Sequence, residues 1–264
     1  MVEMAGLTDV GRKRSHNEDG IAMVPEIGLA VLADGMGGHN AGEVASGMAV
    51  AMIPHELRNI FATRSSSSLG DTEAQQLLAE QSAKINTAIY NTALSQPRYF
   101  GMGTTLVIAL WHGENMTVAH LGDSRLYRLR GDELVQITRD HSWRQEQIDS
   151  GLVTLEQART APAKNIVTRA CGIEPSVNPE IHTYPVQSDD IYLLCSDGLS
   201  EMVSDDEVRR LLLSHKDDLP LAARDLVQQA NDNGGNDNVS VILVRTPNPR
   251  QSSRLLGRFG AWLK

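Results

Sequence analysis

Three short acidic motifs are the parts of this chain best suited to chemistry: Asp34-Gly35, Asp197-Gly198 and Asp237-Asn238. Two of them follow apolar, strand-like runs, and the third precedes another such run. A carboxylate at the end of a strand is held on a rigid base at the rim of a sheet. Carboxylates gathered from distant parts of a chain repel one another unless a cation lies among them. Because hard divalent cations prefer oxygen ligands, the motifs predict metal-assisted chemistry on an oxygen-rich substrate.

Two arginines stand close to further acidic residues. Arg14 precedes Asp19 in Arg-Ser-His-Asn-Glu-Asp, and Arg125 follows Asp123 in Gly-Asp-Ser-Arg. The planar fork of an arginine matches the oxygens of a phosphate group. Two divalent ions can activate a water and neutralise the charge that builds on phosphoryl oxygens. Metals combined with arginine therefore indicate hydrolysis of a phosphate ester, which is among the slowest reactions without a catalyst.

Several other catalytic patterns are absent from the sequence. No Gly-Lys-Ser/Thr occurs, which excludes a nucleotide-binding P-loop. A dinucleotide fingerprint that starts at Gly35 needs glycine at position 40, where the chain has Asn40. Leu194 occupies the place where a nucleophile elbow needs glycine. The pair His55-Glu56 lacks the second histidine of a zinc helix. No residue stands out as a covalent nucleophile.

Composition narrows the class of protein. A net charge of −9 argues against binding to nucleic acid or to an anionic membrane by the body of the chain. The two cysteines fit no zinc spacing and suit a reducing compartment. The first residues do not resemble a signal peptide, and the longest apolar run, residues 106–111, is far too short to span a bilayer. We therefore expect a soluble, cytoplasmic protein, and a monomer.

The elements that must hold the acidic motifs alternate between strands and helices. Apolar patterning predicts strands over residues 4–10, 20–24, 28–33, 104–110, 116–121, 125–130, 134–138, 191–195 and 239–245. It predicts helices over residues 43–61, 71–94, 205–213 and 219–231. Turn-length links at 112–114, 122–124 and 130–132 predict an antiparallel meander of hairpins. The fold class expected is α+β, a four-layer αββα sandwich whose two central, mainly antiparallel sheets are flanked by helix pairs.

Six motifs in order give the chain a resemblance to a known family. They are Arg14…Asn17-Glu18-Asp19, Ala33-Asp34-Gly35-Met36-Gly37-Gly38-His39, Gly103-Thr104-Thr105, Gly122-Asp123-Ser124-Arg125, Cys195-Ser196-Asp197-Gly198 and Gly235-Asn236-Asp237-Asn238. This series resembles the metal-dependent type 2C (PPM) serine/threonine protein phosphatases. The glycine-rich form around Met36 is similar to the bacterial branch. The resemblance spans residues 4 to about 245.

The resemblance implies a metal ligand at each matching acidic position. Asp34 would bridge two Mn²⁺ or Mg²⁺ ions, and Gly35 would offer its backbone carbonyl. Asp197 and Asp237 would be terminal ligands of the second ion. Asp123 would share with Asp197 the weaker third ion seen in bacterial members.

The remaining matches imply roles around the ions. Glu18 and Asp19 would hold metal-bound waters, and Arg14 would bind the substrate phosphate. His39 is the candidate general acid, although eukaryotic members place that histidine directly after Asp-Gly, where this chain has Met36. Read from the sequence alone, Asp123 could instead be an ordinary hairpin-turn residue, and Asn238 receives no chemical role.

The function implied is hydrolysis of phosphoserine and phosphothreonine by direct attack of a metal-bridging hydroxide. No phosphoenzyme would form. The partners implied are phosphorylated proteins and an opposing bacterial serine/threonine kinase. Two alternatives stay open at this point: a catalytically weak regulator that binds phosphoproteins, and a hydrolase of small phosphate esters on the same fold.

The chain divides into a catalytic domain at residues 1–246 and a tail at 247–264. The resemblance implies a flap at about residues 141–170 within the domain. The tail is basic and contains no acid; its cations are Arg250, Arg254, Arg258 and Lys264. On a helical wheel its large apolar residues fall within an arc of roughly 120°, which is typical of a docking helix for a partner protein or an anionic membrane surface. Two glycines weaken such a helix, so a frayed tail, or one folded back on the acidic body, is the alternative.

Overall fold

A computed structural model of the protein describes residues 2–37, 41–154, 157 and 166–247. Eight of the nine predicted site residues lie in this range, in separate parts of the chain. The candidate general acid His39, most of the middle of the flap and the tail from residue 248 onward lie outside the described residues.

Eleven strands of the described residues form two sheets. In chain order they are β1 (Glu3–Asp9), β2 (Asp19–Val24), β3 (Leu29–Met36), β4 (Gly103–Thr104), β5 (Leu106–His112), β6 (Asn115–Leu121), β7 (Arg125–Arg130), β8 (Glu133–Gln136), β9 (Glu180–Pro185), β10 (Ile191–Cys195) and β11 (Val239–Arg245). One sheet has the order β1-β11-β10-β7-β8, and the other has the order β2-β3-β5-β6-β9 with β4 beside β3. The strand pairs within both sheets are antiparallel.

Six α-helices have both ends within the described residues. They are α1 (Ala41–Phe61), α2 (Asp71–Ser95), α3 (Trp143–Asp149), α4 (Asp197–Ser200), α5 (Asp205–Ser214) and α6 (Leu219–Asp232). The sequence determines where several of them begin. Ser204 and Glu207 form a reciprocal capping box at the start of α5, and the Asp218 side chain caps α6. Among the described helices, none is both long and apolar enough to cross a membrane.

The apolar residues form three layers between four layers of structure. Along β3, Val31 and Ala33 belong to the cluster shared with α1 and α2. Ala30 and Leu32 point the other way, into the layer between the two sheets. A third cluster joins the outer face of the sheet β1-β11-β10-β7-β8 to α5 and α6. Alternate residues of a strand face opposite sides, so the buried strands read as continuous apolar runs. This arrangement is the expected αββα sandwich.

The link at residues 122–124 differs from the prediction. The sequence predicts a hairpin there, but β6 pairs with β5 and β9 in one sheet while β7 pairs with β10 and β8 in the other. The hairpin prediction is therefore wrong, because a link of this length also suffices to pass between two stacked sheets. The hairpins β5–β6 and β7–β8 do form. Asp123 thus lies where the chain crosses between the sheets and is not an ordinary hairpin-turn residue.

Candidate metal and phosphate site

An open cleft of about 760 Å³ gathers most of the residues predicted from the sequence. They come from separate elements of both sheets. Its lining includes Arg14, Glu18, Asp34, Gly35, Asp123, Asp197 and Asp237. Asp19 contacts the same group from beneath: its strand β2 pairs with β3, and Asp19 stands directly opposite Asp34. The structure therefore brings together every predicted site residue that it describes.

Asp34 is fixed through its backbone by neighbouring threonines. Its N–H donates to Thr105 Oγ1 at 2.9 Å, and its carbonyl accepts from the Thr105 N–H at 2.8 Å and from Thr104 Oγ1 at 2.9 Å. The strand β3 continues through Asp34 to Met36, so this aspartate lies within the strand and not just past its end as the sequence suggested. A Cβ at Gly35 would lie 2.2 Å from the Gly42 carbonyl oxygen, so only glycine permits helix α1 to start this close to the site.

The other two motifs pack directly against each other. Asp197 begins helix α4 immediately after strand β10, and Asp237 precedes strand β11, the neighbour of β10. A Cβ at Gly198 would lie 1.9 Å from the Asn238 carbonyl oxygen. The glycine in Asp197-Gly198 therefore allows the two motifs to meet, and their carboxylates enter one cleft as a result.

Asn238, which the sequence left without a role, holds the loop that carries Arg14. Its buried Nδ2 donates to the carbonyls of Val10 at 3.0 Å and His16 at 2.9 Å. Its Oδ1 accepts from the Glu18 N–H at 2.8 Å. A side chain with two donors and one acceptor directly after a predicted ligand was the available signal for this function. Asn238 thus ties the segment of Asp237 to the segment of Arg14 and Glu18.

Two serines extend this hydrogen-bonded frame. Ser196 Oγ donates to Asp19 Oδ2 at 2.8 Å and accepts from the Ser240 N–H at 3.0 Å. Ser124 Oγ lies 2.7 Å from Thr105 Oγ1, which connects the β6–β7 crossing to the residue that holds Asp34. Sequence reasoning missed both serines because their partners are distant in the chain.

Burial and mutual repulsion raise the pKa values of the clustered carboxyls. Burial is the main cause for Asp34, followed by the charge of Asp19, and its pKa lies well above the usual value. Burial, then the charge of Asp123, does the same for Asp197. The pKa rises to about 6 both for Asp19 and for Asp123, again chiefly through burial. Without a cation, ionising this cluster costs free energy.

The donor set fits hard divalent ions. It consists of carboxylate oxygens, and Asp19 Oδ1 is buried without a hydrogen-bond donor among the described residues. Cations placed among these groups would offset both the repulsion and the unsatisfied oxygen. No histidine or cysteine lines the described part of the cleft, and these are the ligands that zinc prefers. The residues present therefore suit Mg²⁺ or Mn²⁺.

Comparison with known proteins identifies the family. A family model described as protein phosphatase 2C matches residues 11–234. Serine/threonine phosphatase stp of Listeria innocua is 39% identical over 240 residues, which cover 90% of this chain and 93% of that protein. The chain belongs to the protein phosphatase 2C family. The resemblance expected from the six motifs, including its bacterial branch, is confirmed.

Further relatives extend the likeness of this phosphatase 2C chain to structure. Protein phosphatase PhpP of Streptococcus pneumoniae is 38% identical over 253 residues, covering 92% of this chain and 97% of that one. The crystal structure of the Mycobacterium tuberculosis serine/threonine phosphatase PstP/Ppp superposes with a TM-score of 0.85 at 35% identity, covering 94% and 99% of the two chains. The catalytic domain of PstP in complex with two manganese ions gives a TM-score of 0.82 at 34% identity. The predicted fold class and the predicted dependence on Mn²⁺ or Mg²⁺ are confirmed.

The two arginines singled out in the sequence have different environments in this phosphatase. Arg14 is half exposed at the cleft, and its Nη2 donates to Asp237 Oδ2 at 2.6 Å. Arg125 forms a two-point ion pair with the buried Asp140, with Nε–Oδ1 at 2.9 Å and Nη2–Oδ2 at 2.8 Å. Its remaining nitrogen donates to the Tyr127 hydroxyl at 2.8 Å. Arg125 is thus a structural residue, and of these two arginines only Arg14 lines the cleft.

The segment predicted as a flap, residues 141–170, meets the phosphatase cleft at its described ends. Ile166 and Val167 belong to the lining. The Trp143 N–H, at the start of α3, donates to the Ile166 carbonyl at 2.8 Å. A second cavity of about 740 Å³ shares Met36 and Val167 with the cleft and extends along residues 168–178. The flap therefore borders both cavities.

Proposed function

We propose that the chain removes phosphate from phosphoserine and phosphothreonine in proteins, with two Mn²⁺ or Mg²⁺ ions held by Asp34, Gly35, Asp197 and Asp237. A third, weaker ion would be shared by Asp123 and Asp197. The observation that supports this most is the convergence of buried and partly buried carboxylates from separate segments in one open cleft. Burial, and then the charges of four other aspartates, raise the pKa of Asp34, as expected of a cluster that is completed by cations.

The side chains around the ions would divide the remaining work. Divalent ions in such a site supply Lewis acidity and an activated water. Arg14, whose guanidinium is half exposed at the cleft, would donate to the oxygens of the substrate phosphate. The buried Asp19 Oδ1 would accept from an ordered water, and Glu18 lies beside it in the cleft. The frame around Asn238 would hold Arg14 at the correct distance from Asp237. His39 remains the predicted general acid.

Hydrolysis would proceed without a covalent phosphoenzyme. Both cysteines of the chain, Cys171 and Cys195, are buried, and burial raises the pKa of each thiol to about 12. A thiol with such a pKa is protonated at neutral pH and is a poor nucleophile. Neither cysteine lines the cleft, and no serine among the described residues lines it. Direct attack of water on phosphorus is the reaction that this site supports.

The shape of the site favours a protein substrate over a small phosphate ester. The cleft is open, and the adjoining cavity along residues 168–178 offers space for residues that flank the phosphorylated one. The flap borders both and would contact the flanking residues. On this account the partners are phosphorylated proteins in the cytoplasm and the kinase that opposes the phosphatase. The chain would act as a monomer, and the tail at 247–264 would dock a partner protein or a membrane surface.

The experiment that tests this function compares two substrates with one enzyme preparation. With Mn²⁺ present, kcat/KM for a phosphothreonine peptide should exceed that for a small aryl phosphate, and an acid quench during turnover should leave no phosphate on the protein. Replacing the described flap ends, Ile166 and Val167, with alanine should lower kcat/KM for the peptide more than for the aryl phosphate. Equal turnover of both substrates, or phosphate trapped on the protein, would contradict the proposal.

A further inference from the structure

A second cluster of ligand-type side chains lies outside the cleft. It consists of His120, His141 and Glu180, whose candidate ligand atoms all lie within 4.8 Å of one another. His120 on β6 stands directly opposite Glu180 on β9. His141 follows β8, and its ring stacks on that of His120 at 4.7 Å between centroids. None of the three lines the acidic cleft, so the carboxylate site does not account for them.

His120 has the hydrogen bonding of a histidine prepared to bind a metal. Its Nε2 lies 2.9 Å from the Arg139 carbonyl, which can only accept, so Nε2 carries the proton. Nδ1 therefore has a free lone pair. This atom is buried without a hydrogen-bond partner among the described residues, in a side chain only 1% exposed. Metal-binding histidines commonly donate their other N–H to a backbone carbonyl, which fixes ring and tautomer.

The two neighbouring groups are in forms that can bind a cation at neutral pH. Burial lowers the pKa of His120 and of His141, so both rings are neutral. Burial opposes the ionisation of Glu180, but hydrogen bonds from His182 and His141 favour the carboxylate, and the pKa of Glu180 is lowered. Glu180 Oε2 lies 3.4 Å from His141 Nε2, and Oε1 accepts from His182 Nε2 at 2.9 Å. Neutral imidazole and ionised carboxylate are the species that metals bind.

We propose that His120 Nδ1, His141 and Glu180 form a binding site for one zinc ion, distinct from the carboxylate site. Two imidazoles and one carboxylate with an open fourth position are a known zinc ligand set, whereas Mg²⁺ and Mn²⁺ prefer oxygen. Zinc ligands lie about 2.0–2.2 Å from the ion, so ligand atoms up to 4.8 Å apart must move closer. His120 is already oriented by Arg139, so the movement falls on His141 and on the half-exposed Glu180.

Zinc at this site changes a hydrogen bond at the β6–β7 crossing. The Gly122 N–H now donates to His141 Nδ1 at 3.2 Å. If zinc binds Nε2 of a neutral His141, Nδ1 carries the proton and no longer accepts; if zinc binds Nδ1, its lone pair is used. In both cases the Gly122 N–H loses this acceptor, while the backbone N–H of His141 still donates to the Gly122 carbonyl. Zinc would therefore alter the hydrogen bonding of Gly122, the residue before Asp123. An effect of this change on a third ion at Asp123 rests on the proposed function.

The direct test is a zinc titration followed by calorimetry, with Mg²⁺ in large excess to occupy the carboxylate site. The wild-type chain should bind one zinc per molecule. Glu180→Gln keeps the shape of a half-exposed side chain, and His120→Asn removes the free lone pair. Each variant should weaken zinc binding more than about tenfold, because even the loss of a group that only supports a ligand weakens metal binding by about that factor. His215→Gln is the matched control, since His215 also pairs with a carboxylate, Asp225, at 2.8 Å but lies outside the cluster.

Two further readouts separate the site from loss of folding and from the phosphatase proposal. The Gly122 amide signal in an NMR spectrum should shift when zinc is added to the wild type and stay in place in Glu180→Gln. Melting curves without metal show whether each variant is folded, and neither zinc readout depends on phosphatase activity. The proposal is overturned if the wild type binds no zinc under excess Mg²⁺, or if folded Glu180→Gln binds zinc as tightly as His215→Gln.

Discussion

Replacing Asp123 with asparagine should stabilise the protein when divalent ions are removed. Asp123 is almost fully buried, and burial, followed by the charge of Asp140, raises its pKa from 3.8 to about 6. This rise in pKa corresponds to about 3 kcal/mol between the protonated and ionised forms. Above pH 6 the folded, metal-free wild type bears this cost, and Asp123→Asn does not. The variant keeps the side-chain shape and removes the charge.

The pH dependence gives this prediction its sign. Between pH 3.8 and about 6 the folded state binds more protons at Asp123 than the unfolded state does, so the stability of the wild type falls as pH rises through this window. Relative to its value near pH 4, the stability difference between variant and wild type should grow through the window and level off near pH 7. The full effect, about 3 kcal/mol at most, corresponds to roughly 6–12 °C in Tm for a domain of this size.

The assay is thermal or urea unfolding in the presence of a chelator at several pH values. Asp132→Asn, which changes an exposed carboxylate in the β7–β8 turn, is the control and should show no such pH-dependent gain. Added Mn²⁺ should reverse the order, because the wild type binds ions through Asp123 and the variant does not. A stability difference between variant and wild type that is independent of pH would refute the reasoning. So would a metal-free variant whose stability relative to the wild type is lower at pH 7 than at pH 4.

Three further predictions concern the cleft. Mn²⁺ should raise the Tm of the wild type by mass action, and Asp237→Asn should reduce that rise; a melt that ignores Mn²⁺ would mean that the carboxylates hold no ion. Arg14→Ala should raise KM for a phosphopeptide while Mn²⁺ affinity is preserved, because the guanidinium binds phosphate, whereas unchanged kinetics would make Arg14 a solvated surface charge. Asn238→Ala should also raise KM and lower the free energy of unfolding by about 1–3 kcal/mol, since it removes three hydrogen bonds. Asn238→Asp keeps only the acceptor for the Glu18 N–H and should have an intermediate KM. Equal KM values for both variants and the wild type would exclude a positioning role.

Apolar patterning predicted the elements that are buried on both faces. Strands 125–130, 191–195 and 239–245 agree with β7, β10 and β11 to the residue. The buried runs of β10 and β11 leave little choice of ends, whereas β7 mixes arginines with apolar residues and is bounded by turn-length links at both ends. Strand β9, by contrast, was not predicted. It lies at the edge of its sheet with mostly half-buried side chains, so its sequence carries no clear alternation. The short helix α4 is too brief to give a helical period.

The acidic residues of the site could be predicted from the sequence, but the residues that hold them in place could not. The sequence identifies Asp34, Asp197 and Asp237 because each is a carboxylate beside a glycine or asparagine at one end of an apolar run. The partner of Arg125 could not be predicted, since Asp140 lies fifteen positions along the chain and meets it only after the β7–β8 hairpin has folded back. The same holds for Asn238, whose contacts reach residues more than two hundred positions away. Such contacts depend on tertiary packing and leave no local pattern.

The central claim is that the clustered carboxylates bind the divalent ions that make phosphate hydrolysis possible. The most direct test is the initial rate of hydrolysis of a phosphothreonine peptide as a function of free Mn²⁺, for the wild type, Asp34→Asn and the control Asp132→Asn. The rate should vanish with a chelator, rise to saturation with Mn²⁺ in the wild type and the control, and be lower by at least about a hundredfold in Asp34→Asn. Hydrolysis that persists in the chelator, or an Asp34→Asn variant with the wild-type rate and Mn²⁺ dependence, would contradict the account.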